Sequence, residues 1–148
     1  MKNFGNHSYD KDFYAWALEN AELLRQKKFE EIDIENIAEE IESMGKSNKR
    51  SLFSHLSVLM AHLLKWKFQP IRRSKSWTLT IKNQRFEITD LLKESPSLRN
   101  EIEQQFDHAY KKALIIASEQ TGIDENDLPK SCPFSLEQCL DDNFLPND

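Results

Sequence analysis

The sequence predicts an all-α fold, a compact single-domain bundle of about five helices over residues 1–148 built around a buried helix at 52–68. Three observations carry this expectation. Three glycines and five prolines in 148 residues are too few for a turn-rich β fold. The segment Leu52–Phe68 repeats its apolar residues with helical period, and helix-start and helix-stop residues punctuate the rest of the chain.

Taken in order, Ser8 or Asp10 can cap a first helix running to about Lys28, with Phe13, Ala17 and Leu24 as its inner face and Trp16, Ala21 and Leu23 beside them. Asp33 caps a second, ending at Gly45, where glycine suits a left-handed position just past the helix. Its apolar positions Ile34, Ile37, Ile41 and Met44 form one stripe, flanked by the aligned acids Glu35, Glu39 and Glu42. After Lys46–Arg50 comes the central helix. Leu52, Leu56, Leu59, Leu63 and Trp66 share one stripe, and Phe53, Met60 and Leu64 widen it, so this helix is buried on more than one side. Its polar residues Ser54, His55, Ser57, His62 and Lys65 make it unsuited to span a bilayer.

Pro70 ends that helix near Phe68. Beyond it, Trp77–Ile81 alternates like a strand, yet Trp77, Ile81, Ile88, Leu91 and Leu92 share a helical face and no partner strand is in sight, so helix is the better reading. Ser95-Pro96 marks the start of a further helix whose inward residues run from Leu98 to Ile116 and which stops at Thr121-Gly122. A proline-containing tail, about 123–148, carries a short helix from Ser135 with Gln138 placed to complete a capping box.

The net charge of −5 argues against wholesale attraction to nucleic acid or anionic membrane. Against it stands a basic elbow: Lys65, Lys67, Arg72, Arg73 and Lys75 fall within eleven residues. The start Met1–Ser8 is polar and lacks a signal-peptide apolar core, and two cysteines in such a chain read as reduced thiols, which makes the cytoplasm the expected location.

Catalytic constellations are scarce. His55 and His62 lie two helical turns apart, about 10 Å, too far to share a zinc ion that needs each nitrogen at about 2.1 Å. No Glu-x-x-His, His-Glu-x-x-His, Gly-x-Ser-x-Gly, Walker or dinucleotide-binding motif is present, and no metal or cofactor is expected. A polar cluster of Glu39, Glu42 and His62 is conceivable; the plainer reading is solvated or paired acids and a histidine hydrogen-bonded at a core border. At the elbow, Arg72, Arg73, Lys75 and Trp77, extended by Arg85, have the chemistry of an anion cradle with a stacking ring. The plainer reading there is that the arginines clamp acids or helix ends while Trp66 and Trp77 fill the core.

Several stretches also match one pattern in order: Tyr9 with Asp12–Trp16, Asn36–Glu42 before Gly45, His62–Trp66 before Gln69-Pro70, Arg73–Trp77, Thr80-Ile81 with Gln84-Arg85, Pro96–Leu98, Thr121-Gly122 and Cys132–Phe134. Together they resemble the bacterial, largely cyanobacterial family known as domain of unknown function twenty-nine. The resemblance implies a compact, all-helical, cytoplasmic single domain and favours helix at Trp77; it brings no catalytic or binding residue with it.

The leading expectation is therefore a non-enzymatic interaction module that binds a protein partner or a second copy of itself, with no membrane role. An anion- or nucleic-acid-binding domain using the elbow 72–77 is the alternative. A metal-dependent enzyme centred on His62 with Glu39 and Glu42 comes third, and the reading leans away from an enzyme.

Overall fold

The computed structural model of the protein describes residues 8–147. The polar start Met1–His7, used above to argue against a signal peptide, lies outside the described residues. All regular structure among them is helical, as expected: α1 (Phe13–Arg25), α2 (Ile34–Phe68), α3 (Lys75–Glu94), α4 (Leu98–Thr121) and α5 (Leu136–Leu140), with 3-10 turns at Pro70–Arg72 and Glu125–Asp127. Among the described residues no helix is long and apolar enough to cross a membrane. The chain divides into two compact units, one ending at Lys46 and one starting at Ser47.

Three helix boundaries correct the sequence reading. The second and third predicted helices are one 35-residue helix, α2, with Gly45 inside it. Gly45 has no positive φ, and the neighbouring Lys46–Arg50 contains no proline to stop propagation. One interior glycine costs about 1 kcal/mol relative to alanine, less than an uninterrupted hydrogen-bond ladder can absorb. The cap of α1 is Asp12, whose carboxylate accepts from the Ala15 N–H at 3.1 Å, rather than Ser8 or Asp10. Likewise α4 starts at Leu98, two residues after the predicted proline.

In the first unit, α1 is held against the start of α2 by a polar node. Trp16 Nε1 donates to Asp33 Oδ2 at 2.9 Å, and the Asp33 N–H donates to Asn20 Oδ1 at 2.8 Å. Asn36 Nδ2 donates to the same Asp33 oxygen at 2.8 Å. These donors, led by Asn36 and Trp16, favour the charged form and hold the Asp33 carboxyl below its usual range. Tyr9 donates to Glu40 further along, which pushes its phenol up to about 12. The Tyr9 ring meets that of Trp16 edge-on at 4.8 Å. The buried face of α1 is therefore Trp16, Asn20 and Leu23, not the predicted Phe13, Ala17 and Leu24. Node geometry chose that face, because the indole and the Asn20 amide have hydrogen-bond partners that a simple apolar stripe does not reveal.

The second unit holds the large core. Leu52, Leu56, Leu59, Met60, Leu63 and Leu64 of α2 are essentially inaccessible, as expected from their pattern. Each fully buried side chain of this kind contributes about 1.5–3 kcal/mol. They pack with Ile81 and Ile88 of α3, Ile102, Ala109 and Ala113 of α4, and Leu128, Phe134 and Cys139 of the tail. Gly122 ends α4 in the left-handed region at φ 77°, and Ser135 with Gln138 closes the predicted capping box on α5.

The tail is tied down by two buried side chains. Arg85 Nε donates to the Cys139 carbonyl at 2.7 Å, and Nη2 donates to the carbonyls of Phe144 at 2.8 Å and Gln138 at 3.5 Å. Tyr110 donates its hydroxyl to the Pro129 carbonyl at 2.5 Å. A guanidinium at the carbonyl end of α5 satisfies groups that the short helix cannot pair itself.

Candidate functional site

The most conspicuous unsatisfied feature is apolar and lies in the first unit. At about 100° per residue, Phe13, Leu24, Ala17, Ala21, Tyr14 and Leu18 cover a continuous arc of about 140° on α1. Trp16, Asn20 and Leu23 occupy the edge beside that arc, so the helix buries one margin of its apolar surface and leaves the rest open. Tyr14 is 73% and Leu18 54% exposed. On α2, Ile34, Ile37, Ile41 and Met44 form the stripe expected from their spacing, yet Ile34, Ile41 and Met44 are each about 60% exposed.

These two surfaces belong to one face. Tyr9 pairs with Glu40 while Trp16 and Asn20 pair with Asp33, so α1 and the first part of α2 run antiparallel. Measured from the side chains of the node, each apolar stripe begins within about 50–90° in the direction of increasing residue number. In an antiparallel pair, equal rotations in that sense bring both stripes out on the same side. Glu35, Glu39 and Glu42, all exposed, border the α2 stripe on its far flank. Between Ser8 and Lys46 eleven carboxylates stand against five cations, a net −6 that exceeds the charge of the whole chain. The result is an acid-rimmed apolar face.

The elbow looks different in three dimensions from its sequence. Arg73 Nε donates to the Trp66 carbonyl at 2.7 Å, closing the end of α2, and its guanidinium lies 4.9 Å from the centre of the Trp66 ring. Lys65, only 7% exposed, donates to Gln120 Oε1 at 2.9 Å and sits 4.7 Å from the centre of the Trp77 ring. Both tryptophans are thus half-buried and already carry a cation. Ser74 caps α3 by accepting from the Trp77 N–H at 3.3 Å. Arg72 and Lys75 stay on the surface around a fully exposed Ile71, and Arg85 is buried two turns beyond Trp77, turned toward the tail.

Of the polar trio, Glu39 and Glu42 are exposed in the first unit and His62 is buried in the second. His62 Nδ1 donates to the Val58 carbonyl at 3.0 Å, one turn back along its own helix. Burial, the leading effect, disfavours its imidazolium and lowers its pKa. His55 Nδ1 donates to Gln84 Oε1 at 2.6 Å, linking α2 to α3. No group of three or more metal-capable side chains occurs among the described residues.

The sequence contained the signal for the apolar face, since its residues formed the predicted stripes of both helices. Periodicity marks an apolar side without saying whether anything covers it. The node explains the residues that carried the family resemblance at this end: Tyr9, Trp16, Asn36 and their neighbours build the joint that fixes which side stays open.

No curated protein and no solved structure matches the chain. A family model does, over residues 8–145, a span that includes the node, the elbow and the tail. With nearly the whole chain matched and the all-α architecture in agreement, the protein is a member of the family described as Domain of unknown function DUF29.

Proposed function

We propose that the protein is a non-enzymatic interaction module whose recognition surface is the acid-rimmed apolar face of α1 and the first part of α2. The supporting observation is that Tyr14, Leu18, Ile34, Ile41 and Met44 are all more than half exposed on one side of a rigidly jointed helix pair. Large apolar groups clustered this way mark interaction surfaces. The partner that fits is a helix with an apolar ridge flanked by lysine or arginine, laid along the pair as in helix-in-groove recognition. Symmetric self-pairing through the same face would bring two units of net −6 together, which favours a basic partner over a second copy. A cytoplasmic setting suits two cysteines that are free thiols.

The test uses a labelled synthetic helix with leucine on one face and lysine on the other, followed by fluorescence anisotropy. Saturable binding should weaken at least tenfold in Ile41→Glu/Met44→Glu, whose exposed positions leave folding intact by circular dichroism. A control pair on the other unit, Leu79→Glu/Phe86→Glu, should bind as the parent does. Equal binding by all three proteins would refute the reading. Sedimentation across concentration covers self-association: a dimer abolished by the Ile41/Met44 pair makes the second copy the occupant of this face. A dimer that survives those substitutions places self-association elsewhere and counts against it.

A further inference from the structure

A second feature lies in the other unit, in a cleft of about 540 Å³ between α3 and the tail. Thr78, Lys82, Arg85, Thr89 and Lys93 all contribute to its α3 wall. At about 100° per residue these five positions fall within about 80° of one another, so the cleft faces a single polar stripe. Ile81 and Phe86 flank the stripe, and Leu145 with Asp142 forms the tail side. Three cations therefore stand against one carboxylate, with apolar surface on either edge.

Arg85 distinguishes this cleft from an ordinary charged helix face. It is 97% buried, at 3% exposure. Its Nε and Nη2 are committed to tail carbonyls, whereas Nη1 has no hydrogen-bond partner among the described residues. Nη1 is not among the fully buried, unpartnered polar atoms, and Arg85 is part of the cleft wall, which leaves this end of the guanidinium available to a ligand there. No carboxylate forms an ion pair with Arg85 among the described residues. Asp141 and Asp142 lie near enough to favour its charged form without pairing with it, so the guanidinium is oriented by carbonyls and keeps room for an anion entering the cleft. Lys82 stands one turn before Arg85 and Thr89 one turn after, at the distance a small head group spans.

We propose that this cleft binds a small organic anion, a carboxylate or phosphate monoester with a short apolar body. The head group sits on Arg85 Nη1 and Lys82, and the body lies against Ile81, Phe86 and Leu145. Lys93, two turns further along, adds attraction at the mouth. The volume lies in the range of small-molecule sites, and the mixture of a few converging polar groups with apolar walls is their usual chemistry.

The experiment is a ¹⁵N–¹H NMR titration of the full chain with hexanoate, hexyl phosphate, inorganic phosphate and hexylammonium. Either hexyl anion should give saturable shifts confined to residues 78–93 and 142–145, with a Kd in the millimolar range or tighter. The tighter of the two identifies whether carboxylate or phosphate is the preferred head group. Lys82→Ala, at an exposed position that leaves the Arg85 anchor in place, should weaken binding at least tenfold, and Phe86→Ala should reduce the advantage of hexyl phosphate over inorganic phosphate. Equal binding of hexylammonium, no saturation below about 10 mM, or an unchanged Kd in Lys82→Ala would overturn the proposal. The readout sits entirely in the second unit, so its failure leaves the first unit's apolar face untouched, and the reverse holds as well.

Discussion

Gly45 and Gly122 make a matched pair in which one substitution should have opposite signs. Neither glycine has an atom within 4 Å of where a Cβ would stand, so Gly→Ala introduces no clash and no packing at either place. What remains is the backbone. Gly45 lies inside α2, where alanine is favoured by about 0.8–1.0 kcal/mol over glycine. Gly122 sits at φ 77°, where an L side chain costs about 1–2 kcal/mol. Gly45→Ala should therefore stabilise by about 1 kcal/mol and Gly122→Ala should destabilise by a similar or larger amount. For a chain of this size that corresponds to about 2–4 °C in Tm per kcal/mol. Urea unfolding followed by far-UV circular dichroism measures both, with an unchanged m-value confirming that the folded state is what altered. If the helix instead ended at Gly45, as its sequence suggests, that glycine would need the left-handed conformation and alanine would destabilise. A loss of stability in Gly45→Ala, or none in Gly122→Ala, would refute the reasoning.

Two further outcomes follow from buried groups. Burial lowers the pKa of Lys65, so the folded protein releases that proton before the unfolded chain does, and stability should rise as pH climbs toward the ordinary lysine value of 10.5. Lys65→Met should match or exceed the parent at pH 7 and lose that alkaline gain, which paired urea titrations across pH would read; a parent gain that persists in the variant would assign it to another group. Cys139 is fully buried, and its interaction with Cys132 raises the Cys139 thiol and lowers that of Cys132, while burial adds to the rise at Cys139. A thiol reagent should accordingly label one cysteine in the native protein, Cys132, and both in urea; native labelling of Cys139 by peptide mapping would contradict the arrangement.

Local physics was the legible part of this protein. The Leu52–Leu64 core pattern, the helix at Trp77, the stop at Gly122 and the Ser135–Gln138 box all rest on contacts within a few residues along the chain, and all occur as read. The break at Gly45 misled because the same residue is at home past a helix end and tolerable inside one. Only the continued backbone ladder selects between those states. The elbow was legible as a charge cluster but not as a set of occupied partners, since Lys65 meets Gln120 across 55 positions of sequence.

The sequence by itself determined that the chain is helical, where its main core helix is apolar, and which sides of α1 and α2 are greasy. Tertiary structure alone decided what covers them. The Trp16–Asn20–Asp33 node turns one margin of α1 inward and leaves Tyr14 and Leu18 open, and tail carbonyls more than 50 positions away convert Arg85 from an expected surface cation into a buried anchor. Periodicity and capping depend on neighbours in the chain, whereas exposure, pairing and the remaining free valence of a guanidinium depend on which distant groups the fold brings alongside.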